Sequence, residues 1–485
     1  MCLGFDYLKL RFACREAESE ILLAAGEARH FWDNVSPSDP RLLAGGGHPV
    51  LLEPHYRDRF IPLWLHGDGV AYSENDSLMV FSIGSILAMS NSMLTMLYMA
   101  SFIKSVTAVQ ASHGADTWAV IWRRLIWSCV ALWFGVHPDR DWDDQPFVAG
   151  SRFFAAAGQP LAGGYRFLIW NIIGDLEFMA NVIGLPHWRN PQICSECDCT
   201  QADGERPYTK NFAGKLWSLF NASIYSFVSR KNHPIFVLPG VSAWSCCQDT
   251  LHCLDTKGVG SHMLGSALHQ MVYERVAGRA AHAELARLWQ RILEIYEDLQ
   301  VEERLTHLQL SMLCNVYNPH AEFPTLHCKG AECRHLVPVL AVLAAETCNG
   351  SAVSKARVVA LQALSRFHRI CDSQPMFMQQ DAYEAAMKAM ETFLVHYTYL
   401  HQVSAAQDKK YYNIVPKVHF CWHLAYNCRF MNARFKWTYK AESWVGKVSD
   451  ITASCASGTR LTKLTVPLAE KYICYVNVRL DRCQD

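Results

Sequence analysis

Two aspartates each close an apolar run: Asp68 in Ile61-Pro-Leu-Trp-Leu-His-Gly-Asp-Gly69 and Asp175 in Phe167-Leu-Ile-Trp-Asn-Ile-Ile-Gly-Asp-Leu-Glu177. A carboxylate at the polar end of a buried strand is placed to hold a hard divalent cation such as Mg²⁺ or Mn²⁺, and two such strands side by side can hold a pair. Each also has a plainer reading. Asp68 suits a Gly-Asp-Gly turn, and Asp175 suits the N-cap of a helix starting at Leu176.

Further along, Asp249-Thr-Leu-His252 is followed at once by Cys253-Leu-Asp-Thr-Lys-Gly-Val-Gly-Ser-His262. If the first four residues open a helix or a tight turn, both side chains face one way, and the aspartate can orient the imidazole through a ring nitrogen. The plainer reading is an N-cap aspartate beside a core histidine. Cys194, Cys197 and Cys199 form a second kind of cluster, suited to a soft metal such as Zn²⁺. Zinc needs four ligands, and Cys246, Cys247, His252 and Cys253 are the candidates to complete it. The alternative is a reduced cysteine loop. Asp139, Asp141, Asp143 and Asp144 resemble a calcium loop only briefly: Asp144 stands where the turn needs glycine and Gly150 where a bidentate glutamate belongs. No phosphate-binding or dinucleotide-binding glycine pattern and no nucleophile elbow is present.

The elements that must position these residues are legible as hydrophobic patterns. Phe60–Val70 reads as a strand ending on Asp68, and Leu78–Ile86 and Met93–Ile103 as two more, with a Ser/Asn turn between them. Trp118, Ile121, Trp122, Leu125, Ile126, Cys129 and Trp133 form a helical stripe. Tyr165–Ile173 is a fourth strand, ending on Asp175. The segment from Leu78 to Ile103 has no charged residue, yet its serines, Asn91 and Gly84 argue for two buried strands rather than a membrane span. Beyond Asp249 the pattern turns helical, with Leu285, Leu288, Trp289, Ile292, Tyr296 and Leu299 recurring at three and four.

Composition bounds the possibilities. The 485 residues are 51% hydrophobic and carry 45 basic and 45 acidic side chains, a formal charge of zero. A free-standing DNA-binding module would show a basic excess, so any nucleic-acid contact must come from a local groove. Arg123, Arg124, Lys210, Lys215, Arg230, Lys231, Lys409, Lys410, Arg434 and Lys436 are its candidates. The 19 cysteines, an odd number without a secretory segment, point to reduced thiols in the cytosol or nucleus.

The order of Asp68, Asp175 and the string from Asp249 to His262 resembles the catalytic domain of CACTA-like cut-and-paste DNA transposases, which carry Asp-x-x-His between the second catalytic aspartate and a final glutamate. The resemblance covers roughly Pro62 to the C-terminus and rests on short strings. It implies an α/β, ribonuclease-H-like mixed sheet with a large all-helical insertion. The expected division is a remnant or linker over 1–55, the first part of the core over 56–256, the insertion over 257–432 and closing helices over 433–485. It also implies Mg²⁺ or Mn²⁺ on Asp68, Asp175 and a late glutamate, with Asp249 and His252 beside the scissile phosphate. Glu442 is the first choice for that glutamate and Glu332 the alternative, although Glu442 is followed by serine where a second acid is expected. DNA (transposon ends) is the implied partner, with nuclear localisation, no membrane and a possible homo-oligomer. The competing expectation is a decayed transposase kept as a non-catalytic scaffold.

Overall fold

The computed structural model describes residues 27–88, 96–103, 117–208, 217–220, 233–274, 280–460 and 463–481. Most of the Ser/Asn turn expected between Ile86 and Met93, from residue 89 onward, lies outside them together with the start of the expected third strand and Lys210, Lys215, Arg230 and Lys231. The chain forms two compact units: one of 1–185, 220–247 and 440–485, the other of 186–219 and 248–439. The second unit thus takes in 186–219 and 248–256 as well as the segment read as an insertion.

The first unit is built on a mixed four-stranded sheet: β1 (Phe60–Ala71), β2 (Ser77–Ser85), β3 (Leu97–Ile103) and β4 (Arg166–Ile173), in the order β3-β2-β1-β4. β1 runs antiparallel to β2 and parallel to β4, and β2 runs antiparallel to β3. β1 is central, and it is buried on both faces until His66 and Gly67, as a strand covered on both sides must be. Pro62 has no N–H to give a ladder, and it stands outside the β1–β2 ladder, which begins at Leu63.

Residues 27–52, read from the sequence as a remnant or linker, pack onto the sheet. Helix α1 (Glu27–Asn34) buries Phe31 and Trp32 edge-on against the buried Trp170 of β4. Arg41, itself buried, pairs with Asp39 at 2.6 Å and donates to Asn171 Oδ1 at 2.5 Å. Helix α2 (Thr117–Phe134) packs on β4 and β3, its stripe residues Trp122, Leu125, Cys129 and Trp133 all buried.

The second unit is helical: α3 (Val259–Tyr273), α4 (Ala280–Asp298), α5 (Gly330–Glu346), α6 (Ala352–Ser373), α7 (Gln380–Ala405) and α8 (Lys417–Tyr426). In α4 the periodic residues Leu285, Leu288, Ile292 and Tyr296 are buried, while Leu299, just past its end, is 44% exposed. Back in the first unit, α9 (Tyr439–Ala456, its residues from Lys440 onward) and α10 (Thr465–Asp481) join through Trp444, whose indole donates to Tyr472 Oη at 3.0 Å. Tyr472 Oη in turn donates to Met96 O, just before β3, at 2.9 Å. No described helix is long and apolar enough to cross a membrane.

Candidate metal centres

The first centre is made by a register shift. At the start of the β1–β4 pair Leu63 stands opposite Ile169, but after a bulge Trp64 stands opposite Asn171, Leu65 opposite Ile172 and His66 opposite Ile173. The ladder ends at His66 and Ile173, and the next residues, Gly67 and Gly174, still lie side by side, each followed by its aspartate. A bulge beside a functional pair is a common way to re-aim side chains. The two glycines admit one ring: a Cβ on Gly67 would stand 2.0 Å from Phe178 Cε2, and one on Gly174 2.5 Å from Phe178 Cδ1 and 2.9 Å from Gly67 O. Phe178 therefore lies over both and seats the turn that follows Asp175 on the sheet.

Asp175 caps that turn, its Oδ1 accepting from Phe178 N at 2.6 Å, as its helix-cap reading expects. That bond engages one of its two oxygens. Asp68 Oδ1 accepts from Gly69 N at 2.7 Å. Both carboxylates are half-buried and line one cleft of about 390 Å³ together with Glu177, Asn181, Met79, Phe102, Trp118, Phe178 and Val182. Two carboxylates on one concave wall are a donor set that fits a hard cation. Glu177, two residues beyond Asp175, is a third acid on this wall that the sequence reading passed over.

Neither late glutamate lines that cleft. Glu442 is half-buried on α9; two turns on, Ser449 Oγ donates to Ala71 O at the end of β1 at 2.8 Å. Residues seven apart share a helix face, so Glu442 lies on the side of α9 that meets β1, about 10 Å of helix from that contact. Glu332 belongs to the helical unit, and its carboxylate accepts from Lys329 N at 2.9 Å in a capping box that starts α5. That contact is enough to account for it.

Asp249 and His252 also belong to the helical unit. Asp249 is buried, and its carboxylate collects Leu251 N at 3.2 Å, His252 N at 3.0 Å, Thr438 N at 2.9 Å and Thr438 Oγ1 at 2.8 Å. His252 Nδ1 stands 2.6 Å from Asp249 Oδ2, and the imidazole is 18% exposed. Burial alone would raise the Asp249 pKa; the hydrogen bond and charge of His252 and the Thr438 hydroxyl outweigh it and hold it below the usual carboxylate range. With Nδ1 engaged by Asp249, chemistry at the ring must use Nε2. The motif sits on a π-helical turn, Leu251–Asp255, a rare geometry found often at functional sites.

The second centre is a buried Cys₂His₂ set in the helical unit: Cys194, Cys197, His419 and His423, with ligand atoms all within 4.8 Å of one another. Cys194 Sγ lies 3.4 Å from His423 Nε2, and Cys197 Sγ 3.4 Å from His419 Nε2 and 3.3 Å from His423 Nε2. Tetrahedral bonds of about 2.0–2.3 Å space ligands roughly 3.5 Å apart, so the set fits zinc. The fit is also one of cost. Four polar atoms are gathered in an interior walled by Trp217 and Trp422, and without a cation such a gathering is expensive. Burial pushes the Cys194 thiol well above its ordinary range and the His419 imidazole well below its own. A divalent cation takes thiolate and neutral imidazole together. Glu196, between the two cysteines, stands 3.1 Å from His423 Nδ1 and accepts from Asn427 Nδ2 at 2.7 Å, the outer carboxylate that histidine–zinc sites favour. All four positions are protein atoms, so such a metal is structural, with no open site for catalysis.

Cys199, grouped with this pair from the sequence, lies outside the set; its thiol donates to Thr200 O at 3.6 Å. Cys246, Cys247, Cys253 and His252 are not members either. The two histidines were missed although His419-x-x-x-His423 has the standard zinc spacing, because more than 220 residues separate them from the cysteines. Lys436, one of the candidate surface cations, is buried.

Comparison with protein-family models and with the curated proteins gives no match to this chain.

Proposed function

We propose that this chain is a transposase-like enzyme that cuts and joins DNA by metal-assisted phosphoryl transfer. The observation that carries the reading is that Asp68, within β1 just past its last rung with β4, and Asp175, just past the end of β4, line one cleft. The strand order, with β1 antiparallel to β2 and parallel to β4, agrees with the ribonuclease-H-like sheet that this class uses. Mg²⁺ or Mn²⁺ ions held by Asp68 and Asp175 would supply charge stabilisation to the attacking and leaving oxygens. Glu442, on the face of α9 that meets β1, is the proposed late acid. His252, held by Asp249 through Nδ1, would present Nε2 to a phosphate oxygen or to water. The zinc set would brace the helical unit. Transposon-end DNA is the proposed partner, in the nucleus, with a homo-oligomer as the working assembly.

A second reading, a decayed transposase acting as a nucleic-acid- or protein-binding scaffold, draws on one observation: Glu442 is not among the residues lining the cleft. The test is nicking of supercoiled plasmid in Mn²⁺ or Mg²⁺. Wild-type activity abolished by Asp68→Ala and by Glu442→Gln supports the enzyme. A folded, zinc-loaded protein with no nicking in either metal supports the scaffold.

A further inference from the structure

The carboxylate cleft is amphipathic, and its apolar half is not needed to hold a metal. Gly69, Met79 and Phe102 stand in register across β1, β2 and β3, forming one row of the sheet. At its end Trp118, at the start of α2, meets Phe102 edge to face with centroids 4.8 Å apart. Trp118 also stacks beside Trp122 at 6.4 Å and 17°. Phe102 and Trp118 are both only half-buried, so aromatic surface lines the cleft beside the two aspartates. At about 390 Å³ the cleft falls in the size range of small-ligand sites. Asn181 adds the one amide on the wall, able both to donate and to accept at a base edge.

A ligand matching both halves carries an anionic group that binds through a metal and a flat apolar ring next to it. A nucleotide has that combination. We infer that the cleft holds the base of the nucleotide bonded to the phosphate at Asp68 and Asp175, unstacked from its neighbours and laid against Trp118. This rests on the phosphoryl-transfer reading above and adds a substrate-binding subsite to it. Trp118 would be a positioning residue for an unpaired or extruded base; base–aromatic stacking is worth about 1–3 kcal/mol by alanine substitution, roughly a 5- to 150-fold change in affinity. Because every base has a π-face, such a subsite tolerates all four bases.

The probe is thymidine 3′,5′-bisphosphate with Ca²⁺, which binds as a hard cation but does not support turnover, compared with the corresponding abasic deoxyribose bisphosphate. Affinities are measured by calorimetry on the full chain, and the thymine methyl resonance is followed by NMR. The wild type should bind the thymidine compound in a Ca²⁺-dependent way, at least fivefold tighter than the abasic one, with the methyl signal moved upfield by the indole ring current. Trp118→Ala should erase that preference while binding the abasic compound as the wild type does, and Trp118→Phe should keep most of it. Ca²⁺-dependent binding lost in Asp68→Asn, but equal for the two ligands and unchanged in Trp118→Ala, overturns the subsite and leaves the metal site standing. Absence of any Ca²⁺-dependent binding by the folded wild type overturns the metal reading and the subsite with it. The comparison of two ligands on the wild type needs no variant, so a Trp118→Ala protein that fails to fold does not rescue the inference.

Discussion

Asp249 and Asp255 are buried carboxylates six residues apart, and their surroundings push them in opposite directions. Asp249 accepts several hydrogen bonds and is held below its ordinary pKa. Its contribution to stability is therefore present above the unfolded-state value and is lost as pH falls through the lower folded value. Asp249→Ala should cost roughly 3 kcal/mol in urea unfolding at pH 7, with the difference from wild type shrinking in acid. Asp255 accepts from Tyr439 Oη, while its Oδ1 has no hydrogen-bond partner among the described residues, and burial raises its pKa to about 7. Here the folded state holds the proton more tightly than the unfolded one, so stability falls as pH rises from about 4 to 7. Asp255→Asn should thus be stabilising at pH 8, by up to a few kcal/mol, less so at pH 5, and near neutral below about pH 4. Equal effects at pH 8 and below about pH 4 would contradict this assignment. The sequence shows the Asp-x-x-His spacing but not these differences. Thr438, which helps His252 hold Asp249 down, and Tyr439, whose hydroxyl partly offsets the rise that burial imposes on Asp255, are more than 180 residues away in the chain.

At the scale of elements, the strands and the helix after β3 were legible because their hydrophobic periods are strong. That Asp68 and Asp175 share one cleft was expected in outline, but the bulge in the β1–β4 pair before them was not. Nothing in Leu63-Trp64 announces a shift of one residue against β4. The glycines before each aspartate are the local signal, and they serve the close approach of Phe178. Gly174→Ala should force that ring away, costing about 1–3 kcal/mol as overpacking does and weakening Mn²⁺ binding at the cleft. The helical unit couples its metal set to the π-turn by two routes. Gln248 Nε2 lies 3.5 Å from Glu196 Oε1, and the Cys421 thiol, between the two histidines, donates to Cys253 O at 3.6 Å. Chelation of zinc should therefore speed amide exchange at residues 249–255 by at least tenfold at pH 7, with α4 unchanged. Uniform change across the unit, or none, would show that the metal set does not hold the turn.

On the scale of the whole molecule, the two units divide the chemistry: one carries the carboxylate cleft and the other the Cys₂His₂ set and the Asp-x-x-His turn. Purified protein should carry one zinc per chain, lost on acidification because protons compete for the thiolates and imidazoles, and lost in Cys197→Ser at neutral pH. Zero net charge gave no hint of where a polyanion would bind, and the sequence could not place residues contributed by segments as distant as 194–197 and 419–423. The central claim is that Asp68 and Asp175 together hold a divalent cation, and direct titration with Mn²⁺ followed by electron paramagnetic resonance tests it. The account expects the wild type to bind Mn²⁺, with affinity reduced at least tenfold by Asp68→Asn and by Asp175→Asn and binding abolished in the double variant. Mn²⁺ binding that survives the double substitution, or a folded wild type that binds none, would contradict it.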